Sequence, residues 1–374
     1  RGSMNILVRA LVLSVLLSGC GELEPIKIGF VGQLTGNYSD IGVQGRNGVQ
    51  LAVENLNESG GINGRQLELI VENDKNSIKG AIEADTRLIE SGAEAIIGHM
   101  TSSQTVGVES FILDHQIPLI SPTASSPLLS GKQDCIFRLN PSSDKSAAVM
   151  GNYAYTQLEK KRVAVLYDIR NQAYSLPYAL SFIHFFKELG GSVPLQLNFS
   201  SDEGVNWREV IDLIDEHDVS AVTVVASAAD TASFAKAKQE YGKTWKLYAS
   251  GWAHTQRLLE IGGAAVNGVE FIESFNRKSS RPTFETFKDR YIEQFGHQPL
   301  FAAGQGYESV LLLAEGVRRM SDYNGNLIEA LQSISSIEGL MGTLRFDENG
   351  DVKRPYFVSK IIDGDFEVIG SISD

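Results

Sequence analysis

Cysteine is nearly absent: the 374 residues hold two, Cys20 and Cys135. Two cannot build a disulfide framework, and none forms if Cys20 is used for something else. Histidine is also scarce, with six residues, no two of them at metal-ligand spacing such as HExxH. Without a cysteine pair beside them, no metal set is expected. GxSxG, a P-loop and GxGxxG are all missing, and the glycine-dotted stretch 36–48 has the wrong spacing for a dinucleotide, reading instead as turn and helix entry. The sequence thus calls for no catalytic residue, no cofactor and no enzyme activity. Basic charge is short as well: 33 Lys and Arg stand against 46 Asp and Glu, a formal net charge of −13. Such a surface repels phosphate backbones and excludes nucleic acid as a partner. Long apolar runs are missing too. The run at 10–17 is far below the roughly 20 residues that span a bilayer.

What is present begins with an address. Arg1, Gly2 and Ser3 precede the first methionine, Met4, and read as a tag remnant. From Met4, Arg9 supplies a positive start and residues 10–17 an apolar stretch, the pattern of a signal peptide. Leu17-Ser18-Gly19-Cys20 resembles the bacterial lipobox, in which the peptidase cuts before a cysteine that carries a diacylglycerol. The resemblance implies lipidation at Cys20. A plain secretory signal ending at a cysteine is the alternative. Cys135 is then an unpaired thiol, best read as a small half-buried residue.

After this segment the chain alternates. Strands are expected over 26–31, 67–71, 95–97, 118–120 and 136–139, with helices over 45–57, 78–91 and 103–115 between them. A long helix over 142–158 leads to a second series. Its strands fall at 162–167, 193–198, 221–226, 247–249 and 269–272, and its helices at 176–189, 207–217 and 232–241. Helices over 283–295, 306–320 and 327–334 follow. The tail, 343–372, reads as hairpins turning at Asp347-Glu348-Asn349-Gly350 and Asp363-Gly364-Asp365. Repeated βαβα order implies parallel sheets covered by helices on both faces. Two such halves predict two α/β lobes of one architecture.

Five segments, in order, carry a resemblance. IKIGFVGQLTG from Ile26, NESGGINGRQLEL from Asn57, IGHMTSS from Ile97, PLISPTA from Pro118 and LRFDENGD from Leu344 are similar to type I periplasmic binding proteins. More narrowly they resemble the leucine/isoleucine/valine-binding branch of ABC importer lipoproteins. The resemblance implies two Rossmann-like lobes joined by three crossing strands, with hinges near Asn140, Ser274 and Val352. One lobe would comprise 26–140 plus 274–352 and the other 141–273 plus 353–374. Closure of such lobes around a ligand is a known hinge motion. The implied partners are a small carboxylate or amino acid, an ABC permease, and a membrane through the lipid anchor only. A monomer in the cell envelope, periplasmic or extracellular, is expected.

Candidate ligand residues lie beyond strand ends. Thr101, Ser102 and Ser103 follow a strand and open a helix, where amide N–H groups and hydroxyls suit a carboxylate; a simple N-cap role for Ser102 or Ser103 explains them equally well. The resemblance assigns the carboxylate to Ser103, and a backbone carbonyl and a hydroxyl to Ala124 and Ser125. An ordinary serine-rich turn is the alternative there. Tyr174, in an expected loop 168–175, matches a tyrosine that closes over the ligand. Two positions depart from the branch. Where it has a tyrosine, this chain has Ser227-Ala228-Ala229. Where it has a glutamate that pairs with the ligand ammonium, this chain has Ser250-Gly251-Trp252. Trp252 could hold a cation on its ring face or stack on an aromatic ligand. Asp230 and Glu273 are possible substitutes for the lost carboxylate, and the sequence places neither. A sensing or envelope-assembly role on the same fold is the competing function.

Overall fold

The computed structural model describes residues 23–36 and 38–372. Cys20, with its expected lipidation, lies outside these residues. The first sheet is wholly parallel. It contains β1 (Ile26–Gly32), β2 (Leu67–Asn73), β3 (Ala95–Ile97), β4 (Leu119–Ser121) and β5 (Ile136–Arg138), in the order β2-β1-β3-β4-β5. Three helices return the chain between strands: α1 (Asp40–Glu58), α2 (Ile78–Glu90) and α3 (Ser102–His115).

The next segment enters α4 (Ser143–Gln157) and a second sheet. Here β6 (Arg162–Asp168), β7 (Ser192–Phe199), β8 (Ala221–Val225), β9 (Lys246–Ala249) and β10 (Glu270–Glu273) are parallel. Their connections are α5 (Gln172–Glu188), α6 (Trp207–Asp215), α7 (Ala228–Glu240) and α8 (Gln256–Gly262). The chain then runs through α9 (Pro282–Phe295), α10 (Phe301–Arg319) and α11 (Leu327–Gln332). A small antiparallel sheet follows, of β11 (Ser336–Gly339), β12 (Gly342–Phe346) and β13 (Val352–Lys353). Finally β14 (Tyr356–Ile362) joins β10 antiparallel and β15 (Asp365–Ile372) joins β14, completing the order β15-β14-β10-β9-β8-β6-β7. The expected two-lobed α/β architecture is present.

Strand alternation decides which core each side chain enters. Ile26, Ile28 and Phe30 of β1 enter a core with Val49 and Leu51 of α1, Phe284 and Phe287 of α9, and Val310 and Leu313 of α10. Val31 points the other way, to Ala81, Ala84 and Leu88 of α2 and Val108 and Ile112 of α3. The second sheet is covered likewise, by α6, α7 and α8 on one face and α4 and α5 on the other. Thus the segment after β10 returns to the first core before β14 rejoins the second sheet. Helices α1 and α10 touch backbone to backbone: a Cβ on Gly48 would lie 1.9 Å from the Ala303 carbonyl oxygen. Only glycine permits that approach.

Several helices start earlier than their apolar periodicity suggests. Helix α1 begins at Asp40, α5 at Gln172, α7 at Ala228 and α10 at Phe301. Their first turns hold too few large apolar side chains at helical spacing to mark a start in the sequence, although Ile41, Tyr174, Ala228 and Phe301 are buried in the lobe cores. Tyr174, expected in a loop, therefore sits in the first turn of α5. Helix α8 had no counterpart in the sequence reading. Cys135 is buried rather than half-buried, and burial pushes its thiol up to about 11, an inert state. Among the described residues no helix is long and apolar enough to cross a membrane.

Candidate functional site

The C-terminal ends of the parallel strands of both sheets face one another across a cleft whose volume, open solvent included, is about 650 Å³. From the first sheet come Met100, Thr101 and Ser102 after β3, Thr123 and Ser125 after β4, and Asn140 after β5. From the second come Asn171 and Tyr174 after β6, Gly251 and Trp252 after β9, and Ile272, Glu273 and Ser274 at the end of β10. Ile41, Phe301 and Tyr356 complete the apolar part of the wall. Hydroxyl groups, aromatic rings and aliphatic chains thus converge in one concave site, the usual make-up of a small-molecule pocket.

The two serine-bearing loops are tied together. Ser102 Oγ accepts the Ser125 N–H at 3.1 Å, and Thr123 Oγ1 donates to the Met100 carbonyl at 2.6 Å. Thr101 is the N-cap residue of α3, but its hydroxyl makes no cap bond to the helix backbone; it donates to Gln104 Oε1. Behind this wall lies His99, fully buried. Its Nδ1 is 3.3 Å from Asp74 Oδ2 and its Nε2 3.1 Å from Asp85 Oδ2. Burial works against charge on this imidazole, but the Asp85 and Asp74 carboxylates outweigh it and hold His99 up at about 9. His99 is therefore an imidazolium at neutral pH. Its carbonyl accepts Ser121 Oγ at 2.7 Å, just ahead of the second serine-bearing loop.

Of the expected ligand residues, the cleft brings together Thr101, Ser102, Ser125, Tyr174 and Trp252. Three others are placed differently. Ser103 bridges the lobes: its N–H donates to Asn171 Oδ1 at 3.0 Å and its Oγ accepts the Ala173 N–H at 3.3 Å. Ala124 is fully buried behind the lining, with its N–H bonded to Ser121 Oγ. Ser227 caps α7, accepting the Asp230 N–H at 3.2 Å and donating to Asp230 Oδ2. That S-x-x-D spacing is a capping signal legible in the sequence. It also keeps Asp230 out of the lining.

Glu273 is where the sequence could not put it. Among the described residues that line the cleft it is the one Asp, Glu, His, Lys or Arg, is 5 % exposed, and its Oε1 has no hydrogen-bond partner. Burial pushes its carboxyl well above the usual carboxylate range. His254 Nδ1 lies 3.5 Å from Oε2. Burial, and then the Arg277 guanidinium, push that imidazole down to about 3. With that imidazole neutral at pH 7, the pair at this distance is neither an ion pair nor a strong hydrogen bond. Trp252 stands edge-on to Tyr174, ring centroids 5.9 Å apart. Arg170 lies over the Tyr38 ring at 3.5 Å, and Thr255 Oγ1 donates to Asp40 across the same gap.

A family model described as periplasmic binding protein matches residues 25–365, and the chain belongs to that family. Its relatives are solute-binding proteins. The leucine-, isoleucine-, valine-, threonine- and alanine-binding protein of Pseudomonas aeruginosa is 22% identical over 351 residues, covering 93% of this chain and 92% of that one. The crystal structure of a leucine-binding protein, LivK, from Thermotoga maritima superposes with a TM-score of 0.86 at 25% identity, covering 93% and 98% of the two chains. A solute-binding protein of an ABC transporter from R. palustris, solved with benzoate, gives 0.82 at 18% identity, covering 94% and 98%.

Proposed function

We propose that this chain captures a small carboxylate, an amino acid with a branched-chain or aromatic side chain or a related organic acid, and presents it to an ABC permease. The observation that carries this reading is the cleft: hydroxyls and a helix N-terminus on one wall, rings and aliphatic chains on the other. Hydroxyl and amide donors suit a carboxylate without a buried cation. Related binding proteins of branched-chain amino acids and of benzoate support the ligand range. We take the lobes as 26–140 with 274–352 and 141–273 with 353–374, hinged near Asn140, Ser274 and Val352. The Ser103–Asn171 contact would then form as the lobes close. Placement outside the cytoplasm, tethered by a lipid on Cys20, follows from the signal-like N-terminus.

The test is a thermal-shift screen of residues 23–374 against amino acids and small carboxylates. A ligand at 100 times its dissociation constant should stabilise the fold by about 2.7 kcal/mol. The variant carrying Thr101→Val and Ser125→Ala should bind the same ligand about 10- to 100-fold more weakly, each lost hydroxyl removing about 1 kcal/mol or more. No shift with any compound, from protein shown to be free of ligand, would favour the sensing or envelope-assembly role instead.

A further inference from the structure

A second concavity lies behind the cleft, about 460 Å³ with open solvent included. The chain segments that pass between the sheets form the partition. Ser274, just after β10, lines both spaces. At the start of β14, Tyr356 lines the cleft, while Pro355 and Phe357 on either side of it line the rear pocket, as strand alternation requires. The far wall of the rear pocket is the β11–β12 turn with the start of β12. The Asn276 N–H ties this turn to the segment after β10 by donating to Met341 Sδ at 3.2 Å.

The rear lining has one sign of charge. Met341, Leu344 and Phe357 supply an apolar floor. Among the described residues that line the pocket, the charged ones are Lys353 and Arg354, and no acid is present. Arg354 is matched by Glu308 at 2.5 Å, but Lys353 is exposed and has no ion-pair partner. Arg281 leans on the same wall, its guanidinium carbon 3.1 Å from where a Cβ on Gly342 would lie. Glu338, on β11, is engaged with the Thr343 hydroxyl at 2.6 Å. In a chain of net charge −13, a concavity with an unspent ammonium and no carboxylate is where an anion is drawn. The cleft on the other side of the partition has the opposite make-up, with Glu273 and no Lys or Arg in its lining.

We propose that the rear pocket is a second ligand site, taking a small organic anion with an apolar body, and that its occupant favours the closed cleft. This rests on the hinged-lobe reading of capture and adds a regulator to it. The sheets touch across the cleft through Ser103 and Asn171, Arg170 and Tyr38, and Thr255 and Asp40, and in this same form the rear pocket stands open. With the crossing segments between the two spaces, a rotation that opens the cleft narrows the pocket behind it. An anion seated there binds the closed form better and shifts the population toward it. The coupling is reciprocal: the rear occupant tightens cleft binding by the same factor as the cleft ligand tightens rear binding.

The experiment uses 1-naphthalenesulfonate as the rear probe, 1-naphthalenemethanol as its neutral counterpart, and leucine and 4-methylpentanoate for the cleft. Calorimetry on residues 23–374 should show one sulfonate site, about 10-fold tighter than for the alcohol. Lys353→Glu and Phe357→Thr should each weaken it about 10-fold, whereas Thr101→Val with Ser125→Ala should leave it unchanged. At saturating sulfonate the cleft ligand should bind at least about 5-fold tighter. Without a cleft ligand, sulfonate should reduce the radius of gyration measured by small-angle scattering. Sulfonate binding that survives both rear variants, or that is lost in the cleft variant, puts the probe elsewhere and overturns the proposal. Absence of sulfonate binding overturns it too, and leaves capture intact if leucine or 4-methylpentanoate binds. Rear binding with neither a gain in cleft affinity nor a contraction overturns the coupling. Rear binding with contraction, but with no cleft ligand found, supports the rear site and overturns capture.

Discussion

Replacing His99 with alanine should cost about 3–5 kcal/mol of folding stability, the usual penalty for stranding a buried charge by removing its partner. The side chains of Asp74 and Asp85 are 3% and 0% exposed, and His99 is the cation between them. One Asp85 oxygen already lacks a hydrogen-bond partner, so the carboxylate has no second donor to fall back on. Urea denaturation at pH 7 measures the loss. A cost under 1 kcal/mol would show that the aspartates are neutralised by other means.

The same cluster sets a pH dependence whose sign is fixed. His99 is held at about 9 in the fold, above the ordinary imidazole value of about 6.5. The folded state therefore binds the proton more tightly than the unfolded one. Its contribution is full below about pH 6.5 and is lost as pH rises through about 9, on the order of 3 kcal/mol in all. The native protein should weaken across that window, and His99→Ala should show a flatter profile. Subtracting the two curves removes the other groups that titrate there. Identical slopes would refute the charged state of His99. The consequence reaches function, because the segment after β3 runs from His99 directly into Met100 and Thr101 of the cleft wall.

Much of this was legible in the residues. The strand at Ala95–Ile97 and the starts of α2 at Ile78 and α6 at Trp207 agree between sequence and structure, because apolar patterning there is strong and its boundaries are sharp. Five of the eight residues singled out at strand ends line the cleft, since in parallel sheets the ligand side is the C-terminal side of every strand. Glu273 could not be placed for a reason of topology. Its spacing marks a strand end, but nothing in the local pattern reveals that β10 lies between β9 and β14, or that its end faces the gap. Ser227 went the other way: it follows a strand, as a ligand residue should, yet its hydroxyl is consumed by Asp230 three residues on. Tyr174 lies in the first turn of α5 and not in a loop, because Gln172, Ala173 and Ser175 around it give the sequence no apolar helical spacing there.

The second large effect is expected where the chain passes between the sheets. Arg354, between β13 and β14, donates from Nε to the Leu139 carbonyl at 2.8 Å and from Nη2 to Glu308 Oε2 at 2.5 Å. Glu308 Oε1 accepts the Leu340 N–H at 2.9 Å. The side chains are 1% and 0% exposed. One ion pair thus fastens two of the three inter-sheet segments, at Leu139 and Arg354, to α10 and to the β11–β12 turn. Arg354→Met should cost about 3–5 kcal/mol, because Glu308 is left charged and buried. Adding Glu308→Leu should recover part of that loss, since an apolar pair of similar volume can replace a buried ion pair at little cost. The recovery stops short because the Leu340 N–H and the Leu139 carbonyl lose their partners, at about 1–3 kcal/mol each. A double-mutant cycle by urea denaturation measures both steps. Full recovery would mean that the two backbone groups find water, and hence that these segments are wetter than their burial indicates. A double variant as unstable as Arg354→Met would mean that the backbone bonds, rather than the charge pair, hold the crossing together.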